Sequence, residues 1–316
     1  METVPAKSSP SQHAVDFDLF CDGLSYAEGP VALDDGSVIC VEVTTGRLIR
    51  AFADGSRELV AEPGGGPNGA AIGPDGRCYL CNNGGLSPAD LARLAAGDDS
   101  NSTAPGGRIE TVDLDSGRVE LLYNSCQGVP LLSPNDLVFD TLGGFYFSDY
   151  GSVKRPSPQP GRVYYALADG SAIRPFGRVF ERPNGVGLSP DGKILYVTET
   201  RRGCLWRIWV DDPARSEILY HDPELVMDSL AVQADGKICV ACPVNQMILR
   251  ISPEGRGEMI PTPQGHPSNI CFGGTDLRRA YVTLIYEGIL LTAPWDSPGL
   301  TLAFAQAAPA RTGNAG

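Results

Sequence analysis

The segment Asn184-Gly-Val-Gly-Leu-Ser-Pro-Asp-Gly-Lys-Ile-Leu-Tyr-Val-Thr-Glu199 decides the fold of this chain. It begins with an oxygen-bearing side chain and an apolar stretch, turns at Asp-Gly, and ends in a run of β-formers. An Asp-Gly turn between two apolar runs is the strongest short-range signal for a β-hairpin. The segment therefore predicts two antiparallel strands.

The same pattern occurs six times along the chain. The first residue of each copy, here called its head, carries a side-chain oxygen; the heads are Glu28, Asn68, Asn135, Asn184, Asp228 and Asn269. Consecutive heads are 40, 67, 49, 44 and 41 residues apart, and four of these intervals fit the ~40–50-residue period of a propeller blade. A second pair of strands follows each hairpin, for example at 47–52 and 59–61. Six such units predict an all-β fold, a six-bladed β-propeller with four-stranded antiparallel blades. An irregular β-sandwich is the alternative, and six aligned heads argue against it.

The chain of 316 residues divides into three parts around this repeat. We expect an N-terminal extension at 1–18, a single propeller domain at 19–305 and a flexible tail at 306–316. The long second interval contains an insertion at about 84–107. Ser87-Pro88-Ala89-Asp90 resembles a helix capping box, which predicts a short helix at 91–96. Either a lid over the channel or a surface excursion would fit this insertion.

Charge and composition exclude several classes of partner. With 25 basic and 38 acidic residues the net charge is −13, which argues against nucleic acid or an anionic membrane as a partner. No apolar run reaches the ~18 residues of a membrane helix. The N-terminus lacks the apolar core of a signal peptide, so a cytoplasmic location is expected. The sequence does not indicate whether the protein is a monomer or a homo-oligomer.

The nine cysteines are expected to be reduced thiols, because their number is odd and no export signal is present. Cys78 and Cys81 are three residues apart, as are Cys239 and Cys242. Both pairs lie in strand runs, where residues three apart face opposite sides of the sheet. Buried core thiols are therefore expected rather than a zinc site.

The six heads suggest a metal site. Equivalent positions in a propeller fall on one ring around the axis, and buried oxygens are costly unless something pairs with them. Two carboxylates and several amide oxygens favour Ca²⁺, then Mg²⁺ or Mn²⁺, with Zn²⁺ less favoured. A local turn-capping role for each asparagine is the alternative. Glu28 and Asp228 at the same register fit that alternative poorly.

Four motifs resemble those of the gluconolactonase, regucalcin (senescence marker protein) and luciferin-regenerating enzyme family. They are Glu28-Gly-Pro, Ser133-Pro-Asn-Asp136, Pro183-Asn-Gly185 and Asp228-Ser229. The resemblance covers about 24–282. It implies one divalent ion in the axial channel, held by Glu28, Asn135, Asn184 and Asp228, and hydrolysis of a lactone or a small ester. Asn68 and Asn269 join the ring by register alone.

A metal-polarised carbonyl attacked by water needs a carboxylate to accept the proton. Asp228 is the first choice for this base and Asp136 the second, although Asp136 has an alternative role in orienting Asn135. Asp149 and Glu199 end the second strands of their hairpins. Each could either contact a metal ligand or be a solvated strand end, and Glu199 is expected to be a solvated strand end. Ser229 is a further candidate ligand.

The resemblance also bears on specificity, because sugar-lactone members carry an arginine two residues before the third-blade asparagine. Ser133 occupies that place here, which favours a less hydroxylated lactone or ester. The candidate substrate-binding residues are Asn82, Asn83, Ser133, Tyr150 and His266. With three histidines and no Gly-x-Ser-x-Gly motif in the chain, a Ser-His-Asp triad is not expected.

Three function classes remain open from the sequence. The first is a metal-dependent hydrolase of a small-molecule lactone or ester. The second is a metal-dependent isomerase or dehydratase that acts on a sugar acid or a related carbonyl compound. The third is a non-catalytic Ca²⁺-binding propeller.

Overall fold

The computed structural model describes residues 11–85, 106–152, 159–263 and 265–305. In this part of the chain the strands form six four-stranded antiparallel sheets, and a 3₁₀ turn is present at Thr200–Arg202. Each inner strand touches the inner strands of the two neighbouring sheets, and the last touches the first. The predicted six-bladed β-propeller is confirmed. The helix predicted at 91–96, most of the insertion and the tail at 306–316 lie outside the described residues.

The strands are numbered in chain order, and each of the first four blades runs from its inner strand outwards. Blade one contains β3 (Ala27–Ala32), β4 (Val38–Glu42), β5 (Arg47–Ala51) and β6 (Arg57–Ala61). Blade two contains β7 (Pro67–Ile72), β8 (Cys78–Asn82), β9 (Arg108–Val112) and β10 (Val119–Tyr123). A small hairpin of β11 (Ser125–Cys126) and β12 (Val129–Pro130) follows. Blade three contains β13 (Pro134–Phe139), β14 (Gly144–Asp149), β15 (Gly161–Leu167) and β16 (Ile173–Phe180).

Blades four to six complete the ring, and the N-terminal segment adds a strand to each of the last two. Blade four contains β17 (Pro183–Leu188), β18 (Ile194–Glu199), β19 (Cys204–Trp209) and β20 (Ser216–His221). Blade five contains β21 (Leu230–Val232), β22 (Ile238–Cys242), β23 (Met247–Ile251) and β24 (Gly257–Pro261), with β1 (Ser11–Gln12) parallel to β24 at its edge. Blade six contains β25 (Pro267–Gly273), β26 (Arg279–Leu284) and β27 (Ile289–Pro294), and its outer strand is β2 (Asp18–Cys21). Residues expected to form a separate extension therefore include strand β1 and the first residue of β2.

Six apolar clusters fill the spaces between neighbouring blades, one for each pair. Trp206 and Phe180, for example, pack edge to face at 6.0 Å between blades three and four. All nine cysteines are free thiols. Cys78 and Cys81 belong to clusters on opposite faces of blade two, and Cys239 and Cys242 do the same in blade five. The expectation of core thiols is confirmed for these four.

The inner hairpins share a break in register close to the head residue. The pairing of the first two strands shifts between Glu28 and Val31 in blade one, and comparable shifts begin at Pro67, Pro134, Pro183 and Pro267 in blades two, three, four and six. A β-bulge bends its strand and re-aims a side chain. The bulges therefore lie where the heads approach the axis. Among the described residues, no helix is long and apolar enough to cross a membrane.

Candidate active site

The structure brings the heads together at one end of the axial channel. The side-chain amide of Asn269 in blade six donates a hydrogen bond of 3.2 Å to Glu28 Oε2 in blade one. Glu28 also interacts electrostatically with Asp228 of blade five and with Asp136 of blade three. Interactions that involve four of the six blades show that the repeat heads line a common centre. Here this group of heads is called the oxygen ring.

The carboxylates of the ring are held in an environment that disfavours their charge. Burial raises the pKa of Glu28 to about 7, although hydrogen bonds from Asn269, Ser268 and the Gly29 amide oppose the shift. Burial also raises the pKa of Asp228 well above its usual value, and repulsion from Glu28 adds to this effect. A cation at the centre of the ring would offset both effects.

Asn135 provides the clearest sign of a missing partner. Its Oδ1 is buried and has no hydrogen-bond partner, one of a few such side-chain atoms in the described part of the chain. Buried polar atoms of this kind are rare in native proteins, and an ion is one explanation. No three His, Cys, Asp or Glu side chains cluster as a metal site within the described ranges. A cation would therefore need amide oxygens beside Glu28 and Asp228, a donor set that suits Ca²⁺.

Two of the other ring asparagines, Asn184 and Asn269, differ in how their amides are used. Asn184 Oδ1 accepts a hydrogen bond of 3.4 Å from the Ser229 hydroxyl, and its side chain also hydrogen-bonds Asp228. Asn269 Oδ1 accepts the Ile270 amide at 2.8 Å while its nitrogen serves Glu28. Asn269 thus supports a ring carboxylate with its nitrogen. Because both polar atoms of its amide are used in this way, there is a physical reason to leave Asn269 out of the four predicted metal ligands.

Asp136 is a structural anchor of the ring. Its Oδ1 accepts the Leu137 amide at 2.9 Å, and its carboxylate also accepts hydrogen bonds from the Val186 amide and the Ser229 hydroxyl. Burial raises its pKa to about 7 in spite of these bonds. Since Asp136 is 7% exposed and Asp228 retains partial exposure, Asp228 is the better placed of the two to meet a water molecule.

Glycine after a ring residue allows neighbouring inner strands to approach closely. A Cβ on Gly29 would lie 2.3 Å from the Asn68 carbonyl oxygen, and one on Gly69 would lie 2.6 Å from the Asn135 carbonyl oxygen. A Cβ on Gly185 would lie 2.7 Å from the Leu230 amide nitrogen. The head-glycine pairs of the repeat thus set the spacing between successive ring residues.

Gly185→Ala is therefore expected to push the segment around Asp228 outwards. We expect a loss of about 2 kcal/mol in the free energy of unfolding, since overpacking costs ~1–3 kcal/mol, and weaker metal binding. Urea unfolding and calorimetric Ca²⁺ titration would measure these effects. Gly106→Ala is the matched control, because its Cβ would meet only the Leu131 carbonyl oxygen at 3.6 Å. If Gly185→Ala matched the control in stability and in Ca²⁺ affinity, Gly185 would not be needed to set the spacing between ring residues.

Hydroxyl groups on the second strands fix the backbone of the next ring residue. Ser148 Oγ donates to the Asn184 carbonyl oxygen at 2.5 Å, and Thr198 Oγ1 donates to the Asp228 carbonyl oxygen at 2.7 Å. In blade six the donor is instead on the inner strand: Ser268 donates at 3.2 Å to the carbonyl oxygen of Ala27, the residue before Glu28. Each bond joins one blade to the next. The ring geometry is thus held by hydroxyls that the sequence analysis did not single out.

Buried acceptors also hold the loops that lead into the ring. Asp149 is 2% exposed, and its carboxylate accepts the amides of Leu132, Ser133 and Gly151 at 2.8, 2.7 and 3.0 Å. Glu199 is 1% exposed and accepts the Trp206 indole at 2.8 Å. The expectation that Glu199 is a solvated strand end was wrong, because the loops before and after the inner hairpin of blade four close over it.

The two asparagines predicted to bind substrate, Asn82 and Asn83, also accept hydrogen bonds from backbone amides of loops. Asn82 is fully buried; its Oδ1 accepts the Gly66 and Gly84 amides, and its nitrogen donates to Gly64 and Glu110. These contacts use the whole carboxamide and favour a structural role. Asn83 is partly exposed, with its Oδ1 accepting the Gly85 amide at 2.9 Å.

Tyr150 lies at the mouth of the ring beside arginine side chains. The guanidinium of Arg182 is 6.0 Å from the centre of the Tyr150 ring. Burial raises the pKa of Tyr150; Arg182 opposes that shift, and Asp228 adds to it. Tyr150 is therefore close enough to sense a ring carboxylate. Ser133 is partly exposed, and its amide and carbonyl are bonded to Asp149 and Tyr150.

An aromatic group faces the ring from blades one and six. Tyr26 packs edge to face on Tyr286 at 5.5 Å, and Tyr286 packs on His266 at 4.9 Å. Tyr26 is also close enough to Asp228 and Glu28 for both to raise its pKa. His266 Nδ1 is 2.8 Å from Glu287 Oε1, and this contact lowers the pKa of Glu287 against the effect of its burial. His266 thus lies at the mouth with its imidazole oriented by a carboxylate.

Sequence reasoning missed Tyr26, Arg182, Arg201 and Tyr286. A signal for two of them was available, because Tyr26 and Arg182 each lie two residues before a ring residue. That position was considered only in blade three, at Ser133. Both residues have a left-handed backbone, with φ of 57° and 62°.

A cavity of about 370 Å³ lies on the other side of the ring. Asp136 and Asn269 line its inner end, and Leu300, Thr301, Leu302 and Ala303 line its outer end. The C-terminal segment reaches this position through bonds from the Leu300 amide to Val232 and from the Gly299 amide to Leu277. The loops that carry Tyr150 and Tyr26 are thus at the opposite end of the channel from the C-terminal segment.

The sequence of this chain is similar to those of known proteins. A family model described as the SMP-30/gluconolactonase/LRE-like region matches residues 26–286. The chain is 30% identical over 224 residues to the lactonase drp35 of Staphylococcus haemolyticus, covering 68% of this chain and 62% of that relative. It is 24% identical to a gluconolactonase of Zymomonas mobilis, covering 81% and 75% of the two chains. The match thus spans less than two thirds of the drp35 lactonase.

Solved structures show the same fold at lower identity. A gluconolactonase from Xanthomonas campestris superimposes with a TM-score of 0.71, 23% identity and coverage of 90% of each chain. The calcium-binding protein regucalcin from Agrobacterium tumefaciens superimposes with a TM-score of 0.70 and 17% identity, covering 93% of this chain and all of that one. At these identities the likeness supports the fold alone.

Proposed function

Since this chain belongs to the SMP-30/gluconolactonase/LRE-like family, we propose that it hydrolyses lactones or small carboxylic esters at the oxygen ring. Glu28, Asn135, Asn184 and Asp228 would hold one divalent cation, with Ca²⁺ the expected ion. The observation that carries this proposal is the buried, unpartnered Oδ1 of Asn135 in a ring that also contains two carboxylates. Such a donor set fits a hard cation and leaves room for water and a carbonyl oxygen.

When bound, the cation would supply Lewis-acid polarisation of the lactone carbonyl. Asp228 would accept the proton of the attacking water at its carboxylate, because it is the more exposed of the two candidate bases. Asp136 would hold Ser229 and the Val186 backbone in place. The water oxygen bonds to the acyl carbon, the acyl C–O bond breaks, and the proton accepted by Asp228 would pass to the leaving alkoxide oxygen. A lactone then gives a hydroxy acid, and an ester gives an acid and an alcohol. Tyr150 and His266 would form opposite walls of the substrate site.

Metal removal tests this proposal. Chelated protein is expected to lose at least a hundredfold in turnover of a panel of sugar and non-sugar lactones in a pH-stat, because the carbonyl is then no longer polarised. Activity is expected to return with Ca²⁺, Mg²⁺, Mn²⁺ or Zn²⁺, each added separately. The melting temperature should also rise with the same ion, since a cation that binds only the folded chain stabilises it.

Two results would contradict parts of the proposal. Turnover that is insensitive to chelation would remove the metal from the reaction. Tight stoichiometric binding without turnover of any lactone or ester would leave a non-catalytic binding propeller. Product analysis by NMR distinguishes hydrolysis, which yields a hydroxy acid, from isomerisation or dehydration of a sugar acid.

A further inference from the structure

We propose that Arg182, with Arg201 beside it, binds an anionic group on the substrate, so that the preferred lactone carries a carboxylate. This inference rests on the proposed function and names its substrate class. It concerns the side of the ring mouth formed by blades three and four. The placement of the two arginines, the left-handed backbone of Arg182 and the local balance of charge support it.

Three adjoining segments bring the arginines to the ring mouth. The Thr200 amide donates to the Arg182 carbonyl oxygen at 3.2 Å, and the Met227 amide donates to the Thr200 carbonyl oxygen at 3.2 Å. Met227 directly precedes Asp228, so these backbone bonds connect Arg182 to the residue before a ring carboxylate. Arg201 follows Thr200 in the 3₁₀ turn and is exposed. Both arginines act electrostatically on the Tyr150 hydroxyl, as does Asp228.

The backbone of Arg182 gives a second reason to assign it a function. Its φ of 62° lies in the left-handed region, which non-glycine residues adopt rarely and at a cost. Glycine would fit this turn without strain. Strained residues of this kind cluster at functional sites. An arginine in this conformation therefore points to a use for its guanidinium, which lies 6.0 Å from the centre of the Tyr150 ring.

The charges around the mouth explain why an anionic substrate would need these arginines. With the proposed divalent cation bound, the charges of Asp228 and Glu28 would be offset, which leaves no excess positive charge in the ring to attract a carboxylate, and the chain as a whole carries a net charge of −13. Charges beyond about 8 Å are largely screened at physiological ionic strength, so nearby groups dominate. Arg202, the next residue, forms an ion pair of 3.2 Å with buried Glu199. The Arg182 guanidinium lies 6.0 Å from the centre of the Tyr150 ring, and Arg201 lies in the adjoining 3₁₀ turn, so these two arginines are close to the ring mouth.

Arginine suits this role because its planar guanidinium matches a carboxylate with two parallel hydrogen bonds. The opposite wall, formed by Tyr26 and Tyr286, is aromatic. A lactone with one carboxylate would then bind in one orientation, with its charge towards blades three and four. Its ring carbonyl would lie over the oxygen ring.

The test compares two lactones that differ only in charge, 5-oxotetrahydrofuran-2-carboxylate and its carboxamide. The wild-type protein is expected to prefer the carboxylate in kcat/KM. In Arg182→Gln this preference should fall at least tenfold, mainly through KM, because a hydrogen bond to a charged group is lost. Arg182→Lys should retain part of it. Arg118→Gln, on the outer strand side of blade two, is the charge-matched control and should keep the preference.

A further variant guards against a folding artefact. Arg182→Gly keeps the left-handed backbone accessible, so it should melt at or above the temperature of Arg182→Gln and still lose the carboxylate preference. If both lactones lose the same factor in every Arg182 variant, the arginine only positions the loop and the inference fails. If the wild type shows no preference, it also fails, while the lactonase proposal stands.

A binding measurement separates the two proposals. Calorimetric titration with tetrahydrofuran-2-carboxylate, which has no lactone bond, is expected to show binding that weakens at least tenfold in Arg182→Gln. The matching tetrahydrofuran-2-carboxamide should bind both proteins more weakly than the carboxylate binds wild type. If no lactone is hydrolysed but this pattern appears, the anion site stands and the proposed reaction fails. Equal binding of acid and amide would overturn the anion site.

Discussion

Asp228→Asn is expected to lower kcat for lactone hydrolysis by about 10³-fold, in line with the ~10²–10⁴-fold contribution of general bases. The substitution keeps the shape of the side chain but removes its negative charge and its capacity to accept a proton. It also removes the repulsion between Asp228 and Glu28 that helps to raise the pKa of Asp228. The fold should therefore survive, and the metal-free protein should not become less stable. Initial rates in a pH-stat and a thermal melt would measure both effects.

Asp191→Asn is the matched control for this experiment. Asp191 lies in the exposed turn of the blade-four hairpin, where its carboxylate accepts the Ser189 hydroxyl at 2.7 Å. That turn is at the other end of the inner strand from Asn184. The control should retain wild-type kcat. Activity of Asp228→Asn within a few-fold of the control would show that another group accepts the proton, and Asp136 would be the next residue to test.

Asp149→Ala is expected to destabilise the protein by about 3 kcal/mol, since buried groups that lose a charged hydrogen-bond partner cost ~1–3 kcal/mol each. Three backbone amides lose their acceptor in this variant. Two of these amides belong to Leu132 and Ser133, which precede the ring residue Asn135. Both stability and metal affinity should therefore fall, as measured by urea unfolding and Ca²⁺ titration.

Asp169→Ala provides the comparison, because Asp169 accepts the Ser171 amide and hydroxyl in an exposed turn. Water replaces those bonds when the carboxylate is removed, so its effect should be small. Asp149→Asn should recover part of the lost stability, because the carboxamide oxygen still accepts. A drop in stability without any change in metal affinity would show that Asp149 supports the blade but does not position Asn135.

The propeller could be predicted from the sequence because its signals are local and repeated. Each copy contains an oxygen-bearing head and a turn signal such as Asp191-Gly192, and a regular spacing converts six hairpins into one ring. The opposite-facing Cys78 and Cys81 followed from strand geometry alone. The grouping of Glu28 and Asp228 likewise followed from the register of the repeat, and Asp136 joins them because it directly follows the head Asn135.

The contacts around the ring were harder to predict, because they join residues that are distant in the chain. Ser148 contacts Asn184 and Thr198 contacts Asp228, and no local pattern distinguishes these hydroxyls from other strand residues. The burial of the Asn82 and Glu199 side chains depends on loops that close over them. Burial by a distant segment cannot be inferred from the polarity of one residue.

The outer strand of blade six has a consequence for how the protein is made. Residues 18–21 pair with β27, and the ring bond between Glu28 and Asn269 joins residues 241 positions apart. Contacts of such long range form slowly, because a large loop must close before they stabilise anything. During synthesis strand β2 must wait until the last blade has left the ribosome. Blades one to five can assemble in order, but the complete site is formed only at the final step of folding.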